Sequence, residues 1–308
     1  MLITFAVLIA LAACWETAAA QQVPDTLFNP PIANPAYPPG QGPVVGVDAA
    51  HANFHTADDR YLAFARLLRR DGYRVESHTE PFSAATLTRL DVLVISNALG
   101  DTANVAVPTR SAFTDDEIAA VAAWVEGGGA LFLIADHMPM AGAAAKLARA
   151  FGVHFINGYA VSGEQGRPNF MFRRGDGSLV AHAVADGRTP AERVDSVLSF
   201  TGQAFRATAP VEPVLVVPGP ATLYMTNRWG VATDSTPTLA ADGLLQGALL
   251  THGRGRVAFF GEAAMFSAQR AGPQNAPMGM NVPAAAQNVQ FVLNVMHWLT
   301  GLPSDGRE

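Results

Sequence analysis

VVGVDAAHANFHTADDRYLAFARLLRRDG, Val44 to Gly72, is the stretch whose reading decides the fold. Val44-Val45-Gly46-Val47 is too short for a helix and β-branched enough for a buried strand, which ends in Asp48. Thr56 followed by Asp59 is a capping-box pattern and predicts a helix from near Ala57. Tyr61, Phe64, Ala65, Leu67 and Leu68 give that helix an apolar stripe. The join, Ala49 to Thr56, is longer than most strand-to-helix loops and holds His51, Asn53 and His55. In open α/β sheets ligands bind beyond the carboxyl ends of the strands, so Asp48, His51, Asn53 and His55 stand where a site is expected.

Working outward, strand-like and helix-like segments alternate. Tyr73 to His78 predicts a second strand, Phe82-Ser83 leads into a short helix, and Asp91 to Ser96 is a third buried strand running into Asn97. Thr114-Asp115-Asp116-Glu117 is a capping box that starts a helix over Asp115 to Glu126, ended by Gly127-Gly128-Gly129. Ala130 to Ala135 is a strand that arrives at Asp136-His137, and Pro139 precedes a helix over Ala141 to Phe151. Such alternation predicts βαβ units and a mainly parallel sheet. From Asn157 to Asp195 the periodicity fails, which reads as an irregular insertion or lid, with Arg167, Arg173 and Arg174 near the cleft or in a solvated loop. Strands resume at Val194 to Thr201, Pro213 to Val217 and Ala221 to Thr226. Gly247 to His252 and Arg256 to Gly261 then flank a Gly253-Arg254-Gly255 hairpin turn, and Glu262 follows. A last helix, about Ala284 to Thr300, is stopped by Gly301 and Pro303.

The chain has 308 residues, 49% apolar and 15% charged, with a net charge of −6, which suits a large core and offers no basic footprint for nucleic acid. Leu2 to Ala13 forms the apolar centre of an export signal, too short to span a bilayer comfortably. Two exits compete: cleavage after Ala18-Ala19-Ala20, or a lipobox-like Leu11-Ala12-Ala13-Cys14 that would lipidate Cys14 and give the only membrane attachment. The expected location is periplasmic or secreted. Residues 21–42 are a Pro-rich tether or wrapping segment, 43–301 one α/β domain, and 302–308 a tail. Cys14 is the only cysteine, so the domain holds no thiol nucleophile and no disulfide.

In sequence order VVGVD, DVLVISNALG, WVEGGGALFLIADH, GRGRVAFFGEAAMF and NVQFVLNVMHWLTG resemble the class I glutamine amidotransferase-like superfamily, in particular an uncharacterised exported branch. The resemblance spans about residues 43 to 301. It implies a flavodoxin-like three-layer sandwich: a mainly parallel sheet, helices on both faces and a C-terminal antiparallel hairpin. It does not imply glutaminase chemistry. The strand into Asp136-His137 carries no cysteine, and no histidine precedes Glu262.

Asp48, His51, His55, Asp136, His137 and Glu262 are the candidate catalytic residues, with Asn53 and Asn97 as ligand-binding groups, and all are expected on one cleft. Three readings stay open. Asp48, His51, His55, Asp136 and His137 could ligate a divalent metal such as zinc. The same groups could work without metal, with His51 or His137 as base, Asp48 orienting, and the helix end after Pro139 stabilising negative charge. Or they are structural, as His78, His154, His252 and His297 are read to be; His182 is ambiguous. The functional classes that follow are an exported hydrolase of a small molecule or glycan and a non-catalytic binding or scaffold module.

Overall fold

Val92-Leu93-Val94-Ile95 and Leu131-Phe132-Leu133-Ile134 are apolar at every position. Strands made of them must be covered on both faces, which fixes their place in the middle of a sheet flanked by helices. The computed structural model, which describes residues 22–163 and 169–302, places them there.

The main sheet has nine strands. In chain order they are β1 Val44–Asp48, β2 Arg74–His78, β3 Val92–Ser96, β4 Ala130–Ile134, β5 Val153–Phe155, β6 Phe205–Ala207, β7 Glu212–Val216, β8 Leu245–His252 and β9 Gly255–Phe260. Across the sheet the order is β2-β1-β3-β4-β9-β8-β6-β5, with β7 also paired to β8. The helices packed on its two faces are α1 Leu62–Arg70, α2 Ala84–Leu87, α3 Asp115–Glu126, α4 Met140–Ala150 and α5 Asn288–Leu299, and a further short helix spans Ala183–Asp186. Val94, Phe132, Ile134 and Phe260 share one apolar cluster with α1 and α5. Their neighbours Leu93, Ile95, Leu131, Leu133 and Phe259 share another with α2, α3 and α4. The period-two alternation of the strands thus divides one sheet between two cores.

The protein is α/β, as expected, but its pairing corrects the mainly parallel reading. Only β2, β1, β3, β4 and β9 run parallel. The tight turn at Gly253, where φ is 58°, sends β8 back antiparallel to β9, and β6, β5 and β7 continue in that sense. Three smaller sheets are wholly antiparallel.

Further boundaries differ for local reasons. The helix expected near Ala57 begins at Leu62 and has no side-chain cap. Asp59 holds Arg60 at 2.7 Å and Asp58 accepts from Ser77 Oγ at 3.0 Å, so neither carboxylate reaches back to close a capping box. The segment read as an irregular insertion contains ordered pieces. Tyr159–Ser162 pairs with Ala221–Tyr224, and Met171–Arg173 pairs with Ser196–Leu198. Residues 22–43 wrap the domain. Val23–Pro24 pairs with Ala268–Ala271, and the Ala36 N–H donates to Asp71 Oδ1 at 2.7 Å. The proposed leader with Cys14, Arg167, and Pro303 with the tail from 303 onward lie outside the described residues. No helix among the described residues is long and apolar enough to cross a membrane.

The start of β9 lies against the end of α3. A Cβ at Gly255 would overlap the backbone carbonyl oxygens of Val125 and Gly129. Gly255→Ala is therefore expected to cost about 1–3 kcal/mol, the range for overpacking a site that cannot give way. A thermal melt unchanged from the parent would show that the hairpin and α3 do not meet in this way.

Candidate functional site

β1, β3, β4 and β9 are parallel, so Asp48, Asn97, Asp136 and Glu262 all emerge at one edge of the sheet. The histidines of the first loop fold over that edge, but the eight expected residues divide into two groups.

Asp48, His51 and Asn53 form the first. The His51 ring lies between two carboxylates, with Nδ1 at 2.9 Å from both Asp48 oxygens and Nε2 at 2.8 Å from Glu117 Oε1. Carboxylates accept and do not donate, so both ring nitrogens carry protons and the ring is an imidazolium. Burial lowers its pKa, but the hydrogen bond and charge of Asp48, and then those of Glu117, outweigh this and raise it overall. The Glu117 carboxyl is pushed down to about 2; burial opposes this, and bonds from Thr114 and His51 prevail. Glu117 also closes the α3 capping box with Thr114 and accepts from the Phe82 N–H at 3.2 Å. Phe82 and Phe113 pack on the His51 ring at 4.5 and 4.9 Å. Asn53 Nδ2 donates to Asp48 Oδ2 at 2.9 Å. A ring that donates from both nitrogens has no lone pair left to take a proton. Of the two histidines offered as a base, His51 is held here with Asp48 in a group that braces the loop.

The second group lines a pocket of about 80 Å³. Here His55, Asn97, Asp136, His137 and Glu262 meet Phe54, Phe200, Thr201, Trp229 and Gln269. β4 and β9 are adjacent and in register, Ile134 opposite Phe260, which sets Asp136 level with Glu262. Asn97 turns the chain after β3 in the left-handed region, with φ 52°, a conformation asparagine tolerates better than most residues. Its Oδ1 accepts from the Asp136 N–H at 2.8 Å, and its Nδ2 lies 3.2 Å from His55 Nδ1. Burial, then the Arg60 charge, drives the His55 pKa down to about 3, so the ring is neutral near pH 7. Glu262 is 1% exposed. Burial first, and the Asp136 charge second, push its carboxyl well above the usual range, against the pull of the Met265 and Ala264 amides. His137 stacks on Tyr159, with centroids 4.2 Å apart. Its Nδ1 lies 2.8 Å from the Met138 carbonyl, which can only accept, so Nδ1 carries a proton and Nε2 is the nitrogen that can take or lose one.

Three further observations bear on the open readings. Among the described residues no three His, Cys, Asp or Glu side chains are grouped to hold a metal ion. The expected ligands are split, Asp48 and His51 being engaged with each other and with Glu117. The helix end after Pro139 offers no open cradle, because Ala141 N–H donates to the His137 carbonyl and Gly142 N–H to Asn157 Oδ1. Arg173 and Arg174 do not line the pocket; Arg174 pairs with Asp186 at 2.9 Å. Sequence reasoning missed Glu117, whose capping-box role hid its second one, and the walls Phe54, Phe200, Trp229 and Gln269, which no local pattern marks. Of the remaining histidines, His297 pairs with Asp71 at 2.7 Å, His182 with Glu212 at 2.9 Å, and His78 is buried against Phe82.

Residues 53–282 match the model of a family described as Domain of unknown function (DUF4350), and the chain belongs to that family. This overturns the resemblance to the class I glutamine amidotransferase-like superfamily. No curated protein matches the sequence. Among solved structures the chain is similar to the N-terminal domain of mmIFT52, at 13% identity and TM-score 0.58, over 86% of this chain and 100% of that one. A ThuA-like protein from Bacteroides uniformis aligns at 12% identity and TM-score 0.47, over 88% and 94%. A cytoplasmic protein from Salmonella typhimurium LT2 aligns at 14% identity and TM-score 0.46, over 83% and 98%. At such identities the likeness to the first is one of fold alone.

The Asp48–His51–Glu117 group makes stability depend on pH. The folded state holds the His51 proton more tightly than the unfolded chain, so that contribution is complete below about pH 6.5 and lost as pH rises through the raised value. The Glu117 contribution is complete above about pH 4.5 and lost as pH falls through about 2. His51→Ala leaves two carboxylates without their cation and is expected to cost about 3 kcal/mol at pH 5–6. The difference from the parent should shrink above neutrality in denaturant titrations. A cost that does not vary with pH would show that His51 is not charged.

Proposed function

We propose that this chain is an exported hydrolase of a small polar molecule or a glycan end group, acting in the pocket of Asp136, His137 and Glu262. In this reading the domain is a flavodoxin-like three-layer sandwich whose antiparallel additions build the pocket wall. The observation that supports it most is the carboxyl pair at the ends of β4 and β9. Burial and the neighbouring Asp136 charge make Glu262 hold its proton more tightly than an ordinary carboxyl. Two carboxyl groups whose surroundings separate their proton affinities are the usual arrangement for one acid and one base.

The roles follow from the proton inventory. His137 Nε2, 3.9 Å from Asp136 Oδ1, takes the proton from an attacking water. The water oxygen bonds to the electrophilic carbon, the bond to the leaving group breaks, and Glu262 supplies the leaving group with a proton. Asp136 holds the imidazolium that forms. Neutral His55 and Asn97 keep the strand ends in place. A second reading, a non-catalytic binding module, is supported by the aromatic wall of Phe54, Phe200 and Trp229, which suits capture as well as turnover.

A panel of chromogenic esters, amides and glycosides separates the two. Turnover of at least one class is expected, with His137→Ala and Glu262→Gln each lowering it about 10²–10⁴-fold at unchanged melting temperature. Turnover by neither parent nor variants, or turnover indifferent to both substitutions, would leave the binding module.

A further inference from the structure

The lining of the pocket is unbalanced in charge and in hydrogen-bonding capacity. It contains Asp136 and Glu262 and no lysine or arginine. Asp136 has a bond from the His137 N–H and, among the described residues, an ion-pair partner only in His137, at 3.9 Å. Gln269, fully buried, lines the same pocket; its Nε2 donates to Ser267 Oγ at 2.8 Å, and its Oε1 has no partner. His137 lines the same pocket, with Nε2 3.9 Å from Asp136 Oδ1. Asp136 and Gln269 are therefore short of donors, and a buried acceptor without a donor costs free energy. Phe54, Phe200 and Trp229 add ring faces.

We propose that the pocket takes the ammonium group of an organic amine, with Asp136 as its counter-ion, Gln269 Oε1 accepting one N–H, and the aromatic rings against its methylene groups. A primary ammonium has three donors and one positive charge, which answers both deficits. A carboxylate or phosphate ligand would meet two acids and no cation. The volume of about 80 Å³ admits the amine end of such a ligand. This inference rests on the pocket being the ligand site named above, but not on its being catalytic.

Calorimetric titration of the protein with propylammonium, 1-propanol, propionate and glucose at pH 7 tests it. Propylammonium is expected to bind at least about tenfold more tightly than 1-propanol, with no heat from propionate, as a charge-assisted hydrogen bond requires. Asp136→Asn should remove that preference. Gln269→Leu, which leaves the charge in place, should weaken propylammonium severalfold and serves if the first variant fails to fold. Equal binding of amine and alcohol, tighter binding of glucose, no binding of any probe, or a preference that survives Asp136→Asn would each overturn the proposal. Amine binding without turnover of any substrate would sink the hydrolase and leave this inference standing. Turnover of a neutral ester that propylammonium does not inhibit would do the reverse.

Discussion

The carboxylate of Glu117 is the interaction on which the sheet edge depends. Its two oxygens accept from Thr114, Phe82 and His51, so one side chain starts α3, fixes the approach to α2 and holds the first loop. Through His51 it reaches Asp48 at the end of β1, and through Asp48 it reaches Asn53. The loop continues directly into Phe54 and His55, which wall the pocket. A buried cation between two carboxylates is tolerable only when each charge keeps its partners, and here every one is saturated by hydrogen bonds. The brace and the pocket thus share a loop and divide its labour. One half is spent on holding the loop still, and the other walls the pocket with Phe54 and the neutral ring of His55.

Much of this was legible in the sequence where a signal repeats locally. The apolar runs at Val92 and Leu131 and the capping box at Thr114 appear in the structure as buried strands and as the start of α3. Strand ends could be ordered along an edge from parallel pairing alone, which brought Asp136 and Glu262 together. Pairing between distant short strands leaves no such trace. Tyr159–Ser162 finds its partner at Ala221–Tyr224, and nothing within four residues announces that. The same holds for His51. Its place in one loop with His55 suggested one shared site, yet their surroundings separate them: two carboxylates raise the proton affinity of the first, and burial beside Arg60 keeps the second neutral. Residue type and spacing report which groups are available, whereas protonation is set by neighbours that arrive from across the fold.

The wall of the pocket comes from segments that the parallel core does not need. Trp229 sits in a connection after Ala221–Tyr224, Phe200 follows Ser196–Leu198, and Gln269 lies on a strand that pairs with residues near the start of the described chain. The carboxyl groups of the pocket stand just past strand ends and its aromatic wall on these additions. That arrangement lets the aromatic and amide groups vary without disturbing Asp136, Glu262 or the strands beneath them.

Three strands of the main sheet have a single partner in it, and they bear on how molecules of this protein meet one another. β2 carries exposed Arg74 and Glu76, β5 is three residues long with exposed His154 at its centre, and β7 begins with exposed Glu212 and Pro213. An open sheet edge is a template on which a second chain can add a strand, and charged or very short edges frustrate that addition. A sheet of nine strands therefore ends on surfaces that resist edge-to-edge joining, so its apolar interior strands stay out of reach of aggregation while the molecule remains folded.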